Sequence, residues 1–369
     1  MLKSTDVFVV GGGPAGLAAG IAARQNGLRV VVADGAQTPI DKTCGEGLMP
    51  DGLLALQGLG ITLKPGDGYP FRGIRFLNSS IAADAPFPSG GVGLAVRRTT
   101  LHRIMAERAA DAGVAFLWQT PVTGISGEEV RLGDRTVRAR WIVGADGVNS
   151  RVRGWAGLSL RPRTDLRYAF RRHYRVKPWS DHMEIYWGDR NQGYATAISD
   201  EEVCVAVASH DPKMRVEQAL AALPALNARL RGAETVSVER GALTANRTMN
   251  RVYRRNVALI GDASGTVDAI TGQGLGLSFS QAAALAHCFA SGNLRPYQAE
   301  HRRLALRPLW MARLMLTLDG HPRLQRRTLQ VFRQQPDIFA RLLALHVGAL
   351  SPKNMALDGI SLGWGLLTA

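Results

Sequence analysis

Apolar and polar positions change rhythm several times along the chain, and each rhythm predicts an element. Residues 7–10, Val-Phe-Val-Val, form a short unbroken apolar run, as expected of a strand buried on both faces. After a cluster of glycines, Leu17, Ile21 and several alanines fall on one helical face up to Gly27, and residues 29–33 form a second strand-like run. A helical piece is expected at 53–59, and the mixed apolar, glycine and proline pattern of 60–95 predicts strands and turns. Leu101, Ile104, Met105 and Ala109 share a face of a helix expected over 97–113. Strands are expected at 115–118, 122–126, 129–132, 136–139 and 141–143. Between 164 and 245 the β-type runs 183–187, 193–198 and 203–209, with turns at 189–192 and 200–202, predict an antiparallel sheet, followed by a helix over 216–230. Residues 256–262 return to a strand, 272–276 open a small-residue helix running to about 289, and the remainder reads as basic amphipathic helices. No internal repeat or low-complexity linker interrupts this order.

The first strand runs into Gly11-Gly12-Gly13-Pro14-Ala15-Gly16, and the second strand ends at Asp34. Strand, glycine turn, helix, strand and acid make a dinucleotide-binding unit, and each residue type has a physical reason. Gly11 permits the tight turn, Gly13 leaves room for a pyrophosphate, and Gly16 lets helix and strand pack closely. The helix N-terminus offers free N–H groups to the phosphates. Asp34 stands where a carboxylate binds ribose hydroxyls.

Composition narrows the picture. The 369 residues suffice for more than one domain, and 46% hydrophobic with 20% charged residues is the balance of a globular protein. Three distant cysteines without a Cys-x-x-Cys pair argue against a disulfide framework or a cysteine zinc site and fit a reducing cytoplasm. The start directly in the first strand predicts no signal peptide, and no apolar run reaches membrane-spanning length. The formal net charge of +15 comes mainly from arginine. No nucleic-acid recognition module accompanies it, so nucleic acid is not an expected partner. The arginines that break the apolar pattern beyond residue 304 predict helices that pack on the core, with peripheral contact to an anionic surface left open.

Three glycine-acid signatures occur in order: 11–16 with Asp34, GADGVNSRVR at 144–153, and ALIGDASGTVDAITGQGLG at 258–276. Together they resemble the flavoprotein superfamily of para-hydroxybenzoate hydroxylase, geranylgeranyl reductases and flavin-dependent halogenases. The resemblance implies an α/β fold: a Rossmann-like FAD-binding domain, a β-sheet substrate domain and C-terminal helices. It implies a discontinuous FAD domain (1–75, 95–162 and 250–300), a substrate domain (76–94 and 163–249) and a helical segment (301–369). FAD is the implied cofactor, with NAD(P)H as transient reductant lacking a fingerprint of its own. By the same resemblance Asp262 binds the ribityl chain, Gly272, Gly274 and Leu275 face the flavin N1–C2 edge, and Arg98 approaches the pyrophosphate. Val122 contacts adenine through its backbone, and Asp146 belongs to a stretch touching both FAD and the pyridine-nucleotide path.

The superfamily divides by what reduced flavin does next. Halogenases place a lysine where this chain has Arg72, and arginine stays protonated and is a poor nucleophile. Geranylgeranyl reductases carry a loop like Cys44-Gly45-Glu46-Gly47, but their YxWxFP stretch is matched only by Tyr194 and its neighbours. Hydroxylases have a proline near the last glycine pair, where this chain has Ala269-Ile270-Thr271. Tyr186, Trp187 and Tyr194 suit a sheet that stacks a flat substrate. The leading expectation is an NAD(P)H-dependent monooxygenase hydroxylating an aromatic or polyketide-like molecule of secondary metabolism. The alternative is a C=C reductase of an isoprenoid substrate, and halogenation comes third; a carrier-bound substrate is left open. Cys44, Arg72 and Tyr194 are the catalytic candidates. Glu46 and the histidines show no acid–base pairing in sequence, and His173, His182 and His210 lack metal-ligand spacing, so no metal is expected.

Overall fold

The computed structural model describes residues 3–159, 166–189 and 191–351. The expected ends of the FAD domain at 162 and of the helical segment at 369 therefore lie outside the described residues, as does Arg190 of the expected turn.

The first apolar run is the centre of an eight-stranded sheet. Strand Ser4–Val10 pairs in parallel with Val30–Ala33 on one side and Arg135–Gly144 on the other, and Val7, Phe8 and Val9 are fully buried. Ala115–Leu117 and Val257–Leu259 extend the parallel order outward. Flanking helices Pro14–Gln25 and Gly274–Ala290 pack against each other and bury Leu17, Ile21, Phe279 and Leu285 in the same core. This is the Rossmann-like α/β architecture that the pattern of strands and glycines implied.

A second eight-stranded sheet is largely antiparallel. It contains the expected strands Met183–Trp187, Asn191–Ser199 and Glu202–Ser209. It also recruits Gly73–Leu77 and Ala82–Pro86, with Gly73–Leu77 parallel to Met183–Trp187. One face carries Phe76, Ile185 and Trp187 toward helices Arg295–Asp319, Pro322–Gln334 and Pro336–His346. The opposite face packs Tyr186 and Val205 under two short helices, Val216–Ala221 and Pro224–Arg229.

Three local expectations change. The helix expected over 216–230 is two helices, because Pro224 cannot donate the backbone bond that would continue the first. The strands expected at 136–139 and 141–143 are one strand, Arg135–Gly144, whose alternating first half pairs with Glu129–Leu132 and whose buried second half pairs with the central strand. Strand Arg167–Arg175 has no counterpart among the expected elements. Its sequence, RYAFRRHYR, reads as polar, yet Arg167, Arg171 and His173 are buried. They are tolerated inside because each finds charged or hydrogen-bonding partners.

Candidate functional site

The three glycine signatures converge. A Cβ on Gly11, whose φ is +108°, would lie 2.5 Å from the Ala145 carbonyl oxygen of the second signature, and one on Gly16 would lie 1.8 Å from the Gly11 carbonyl oxygen. Side chains at either position would push the strand and helix apart. Gly13 and Gly274 instead face open space, and both sit where a helix begins and its first N–H groups have no intrahelical partner. These two helix starts, with their positive dipole ends, border one cavity of about 940 Å³.

Gly11, Gly13, Pro14, Ala15, Asp34, Arg98, Val122, Asp146, Asp262, Gly272, Gly274 and Leu275 all line that cavity, and Gly16 lies just behind the wall. Asp34 accepts hydrogen bonds from the backbone N–H groups of Gly12 (2.7 Å) and Ala36 (2.7 Å), which fixes its carboxylate at the end of its strand. His102 supports the glycine loop through Nε2, 2.9 Å from the Gly12 carbonyl, and burial pushes its imidazole below the ordinary value. Asp146 caps helix Arg151–Trp155, accepting from Ser150 Oγ, Arg151 N and Val152 N. Asp262 lies 3.2 Å from Lys42 Nζ in the open part of the cavity. Arg98 is 7% exposed, burial pushes its guanidinium down, and its Nε has no hydrogen-bond partner among the described residues. A buried cation with an unused donor, beside two open helix N-termini, fits an anionic diphosphate.

Beyond Gly272 the cavity continues as an apolar arm. Ile74, Phe76, Met183, Ile185 and Tyr194 form its floor on the second sheet, and Met311, Leu314, Met315, Leu318, Phe332, Phe339 and Leu342 form its roof on the C-terminal helices. Phe339 stacks on Phe332 with centroids 4.6 Å apart. Of the three aromatics expected to stack a planar substrate, only Tyr194 lines the arm. Strand alternation turns Tyr186 to the opposite face, where its hydroxyl donates to Glu184, and Trp187 is 3% exposed and stacked on Phe76. Tyr194 donates to Gln192 Oε1 (2.7 Å), and burial raises its phenol above the ordinary value. Gln192 also accepts from the fully buried Arg167, which donates to Asp268 (2.9 Å). This network ties the second sheet to the third glycine signature and, through the Gln192–Asp319 bond of 2.7 Å, to the roof.

A second network stands where the two parts meet, and sequence inspection found no sign of it. Glu46 lines the cavity at 2% exposure, and its Oε2 is 2.8 Å from His173 Nε2. Arg171 lies 3.1 Å from His173 Nδ1, and arginine only donates, so Nδ1 accepts and Nε2 carries the hydrogen given to Glu46. Ser237 Oγ is 2.8 Å from the same Nδ1 and is partly exposed. Glu46, His173 and Cys204 bring ligand-type atoms within 4.8 Å of one another. The adjacent Arg171 guanidinium, and the Arg98 N–H donated to Glu46 Oε1 (3.0 Å), suit a hydrogen-bond relay better than a bound cation. Cys44 also lines the cavity, accepts the Glu46 N–H at 3.3 Å, and is raised above the ordinary thiol value by burial. The 127 residues between Glu46 and His173 hide this pairing from any local pattern. Arg72 is outside the site: its side chain is 73% exposed, 3.9 Å from Asp181.

A family model described as "FAD binding domain" matches residues 4–294. The chain belongs to this family of FAD-binding flavoproteins. Its chemistry is that of an FAD-dependent oxidoreductase. The flavoprotein is 30% identical over 325 residues to a menaquinone reductase of Mycolicibacterium smegmatis, covering 81% of this chain and 80% of the relative. It is 28% identical over 300 residues to digeranylgeranylglycerophospholipid reductase 1 of Methanopyrus kandleri, covering 73% and 76%. In fold it resembles a flavoprotein/dehydrogenase from Cytophaga hutchinsonii, with a TM-score of 0.82 at 19% identity, covering 95% and 94%.

Proposed function

We propose that this flavoprotein reduces a carbon–carbon double bond in a long isoprenoid chain, using electrons delivered by NAD(P)H. The observation that carries the reading is the apolar arm, which leads away from the Gly272–Leu275 end of the cofactor cavity between the second sheet and the C-terminal helices. An isoprenoid tail is buried by such a wall at roughly 0.8 kcal/mol per methylene. A reductase name on two relatives that cover most of their own length supports it. Hydroxylation, the leading expectation from sequence, relied on an aromatic platform, and of its three aromatics only Tyr194 lines the arm.

In this reading Gly11, Gly13, Pro14, Ala15 and Arg98 hold the FAD diphosphate, Asp34 the ribose and Asp262 the ribityl hydroxyls. Val122 lies along the adenine, and Gly272, Gly274 and Leu275 present helix N–H groups to the flavin. Asp146 shapes the entry by capping its helix. Reduced FAD supplies a hydride when bound. The arm holds the double bond in place and excludes water. Cys44, kept as a thiol by burial, is the cavity-wall group that gives the accompanying proton and regains it from solvent, while Glu46, accepting from His173 and the Arg98 N–H, holds the loop beside it in place. The test is an anaerobic incubation of reduced holoenzyme with a polyprenyl quinone or a geranylgeranyl lipid. The product is expected to gain two hydrogens. A product carrying one atom of ¹⁸O₂ under air, with no hydrogen gained anaerobically, overturns the reading.

A further inference from the structure

The helices that roof the arm are one layer thick, and their outer face is chemically distinct from their inner one. On helix Arg295–Asp319, Met311, Leu314, Met315 and Leu318 face the cavity. Turned to the outside, Leu306 is 69% exposed and Trp310 46% exposed, one helical turn apart. Among the described residues these two are the large exposed hydrophobics of the whole C-terminal region. Arg303 and Arg313 continue the same face on either side and are exposed. The next helix, Pro322–Gln334, exposes Arg323, Arg326 and Arg333 beside it.

The acids do not balance this charge. Residues 295–334 contain nine arginines and two carboxylates, Glu300 and Asp319. Asp319 is turned inward, accepting from Gln192, and Glu300 pairs with Arg303. One of the nine arginines, Arg307, is likewise drawn inward, to Asp51 at 2.7 Å. What remains outside is a cationic rim around an exposed leucine and tryptophan. Trp settles at the water–lipid boundary, and arginine is attracted to anionic headgroups. No helix among the described residues is long and apolar enough to cross a membrane, so the contact is in the plane of the surface.

We propose that the Leu306–Trp310 face docks this protein on an anionic lipid surface, with the arm directly beneath it. The proposal goes beyond the double-bond reading and does not depend on it; docking can fail while reduction stands, and the reverse.

The test uses FAD-loaded full-length protein in flotation assays with phosphatidylcholine vesicles, with and without phosphatidylglycerol. The protein is expected to float only with phosphatidylglycerol, and to be released progressively as salt rises. Arg303→Gln, Arg313→Gln and Arg323→Gln combined are expected to weaken partitioning on the order of 100-fold, at about fivefold per arginine. Leu306→Ser with Trp310→Ser is expected to weaken binding with the protein still folded and FAD-loaded, and with a small fall in melting temperature because Trp310 is about half covered. A Trp310→Phe difference spectrum is expected to show a blue-shifted Trp310 emission on vesicles. Equal binding to neutral vesicles, or none to anionic ones, overturns the proposal. So does a dimer in solution that the Leu306→Ser, Trp310→Ser variant splits without any change in vesicle binding, since the face is then a contact between copies of this chain.

Discussion

The two halves of the cavity are made of different material. The nucleotide half is mostly backbone: glycine turns, two helix starts and strand ends, with a few side chains such as Asp34, Arg98 and Asp262 pinned at their edges. The apolar arm is almost entirely side chains, drawn from strands near residues 74, 185 and 194 and from helices beyond 310. A backbone-made site demands residues without a Cβ at fixed spacing. A side-chain-made site demands only bulk and apolarity, which many sequences meet. The two halves should therefore fail differently when perturbed, and they should be separable by mutation.

The largest effect is expected where the arm is anchored. Arg167 is 1% exposed, and its charge is matched by Asp268 at 2.9 Å, itself fully buried, with Asp319 at 3.9 Å. Burial alone depresses a guanidinium, but Tyr194, Asp268 and Asp319 outweigh it and leave Arg167 raised. Arg167→Met strands the Asp268 carboxylate in the interior. Loss of one partner of such a pair costs about 3–5 kcal/mol. Urea denaturation of the variant is expected to show that loss, and a change below about 1 kcal/mol would show that the network is dispensable.

The same contrast explains how much could be read from sequence. The nucleotide half was legible because Gly11 and Gly16 answer local steric demands: Gly16 must sit against the Gly11 carbonyl, and no other residue fits. The strand carrying Arg167, Arg171 and His173 was not legible. Its residues look solvated one at a time, and their partners, Asp268, Asp41 and Glu46, are each about 100 residues or more away in the chain. Tyr186 and Trp187 were read as a substrate platform from type alone; strand pairing turns Tyr186 to the far face, and Trp187, on the arm's side, is covered by Phe76 and does not line the cavity. The hydrophobic stripe of the last helices was visible, but what it covered depended on the second sheet beneath it.

At the joint between the halves, acid should act through a histidine. His346 lines the cavity, donates from Nε2 to the Thr271 carbonyl at 3.0 Å, and is pushed down to about 4 by burial, helped by Arg307. His301, behind the nucleotide half, is likewise pushed down to about 4 by burial. As pH falls below the unfolded value near 6.5, the unfolded rings take up protons that the folded ones refuse, so stability declines. Below about 4 both states are protonated and the loss levels off. Each ring accounts for a loss on the order of 3 kcal/mol across that window. Thermal melts between pH 7 and pH 4 are expected to slope downward, and His346→Gln, which keeps a donor for Thr271, is expected to make the slope shallower, with His301 and the likewise depressed His102 carrying the rest. A wild-type profile that is flat over the window would show that these rings are free to protonate in place.

The smallest effect is the sharpest test of separability. Asp262→Ala removes an acceptor expected to bind a ribityl hydroxyl, a charge-assisted bond worth about 1.5–3 kcal/mol, so FAD affinity should fall roughly tenfold or more. Its contact with Lys42 is half-exposed on both sides and adds little to folding. Leu314→Trp narrows the arm on the inner face of helix Arg295–Asp319. It shares no partner with the diphosphate end, so FAD affinity is expected to stay within about twofold while kcat/KM for the proposed isoprenoid substrate drops. Fluorescence titration of FAD into both apoproteins, followed by steady-state kinetics on the holoenzymes, reads the two quantities independently. If Leu314→Trp weakens FAD as much as Asp262→Ala does, the arm and the nucleotide half are one energetic unit. The backbone-built cradle would then depend on the side-chain roof that closes over it.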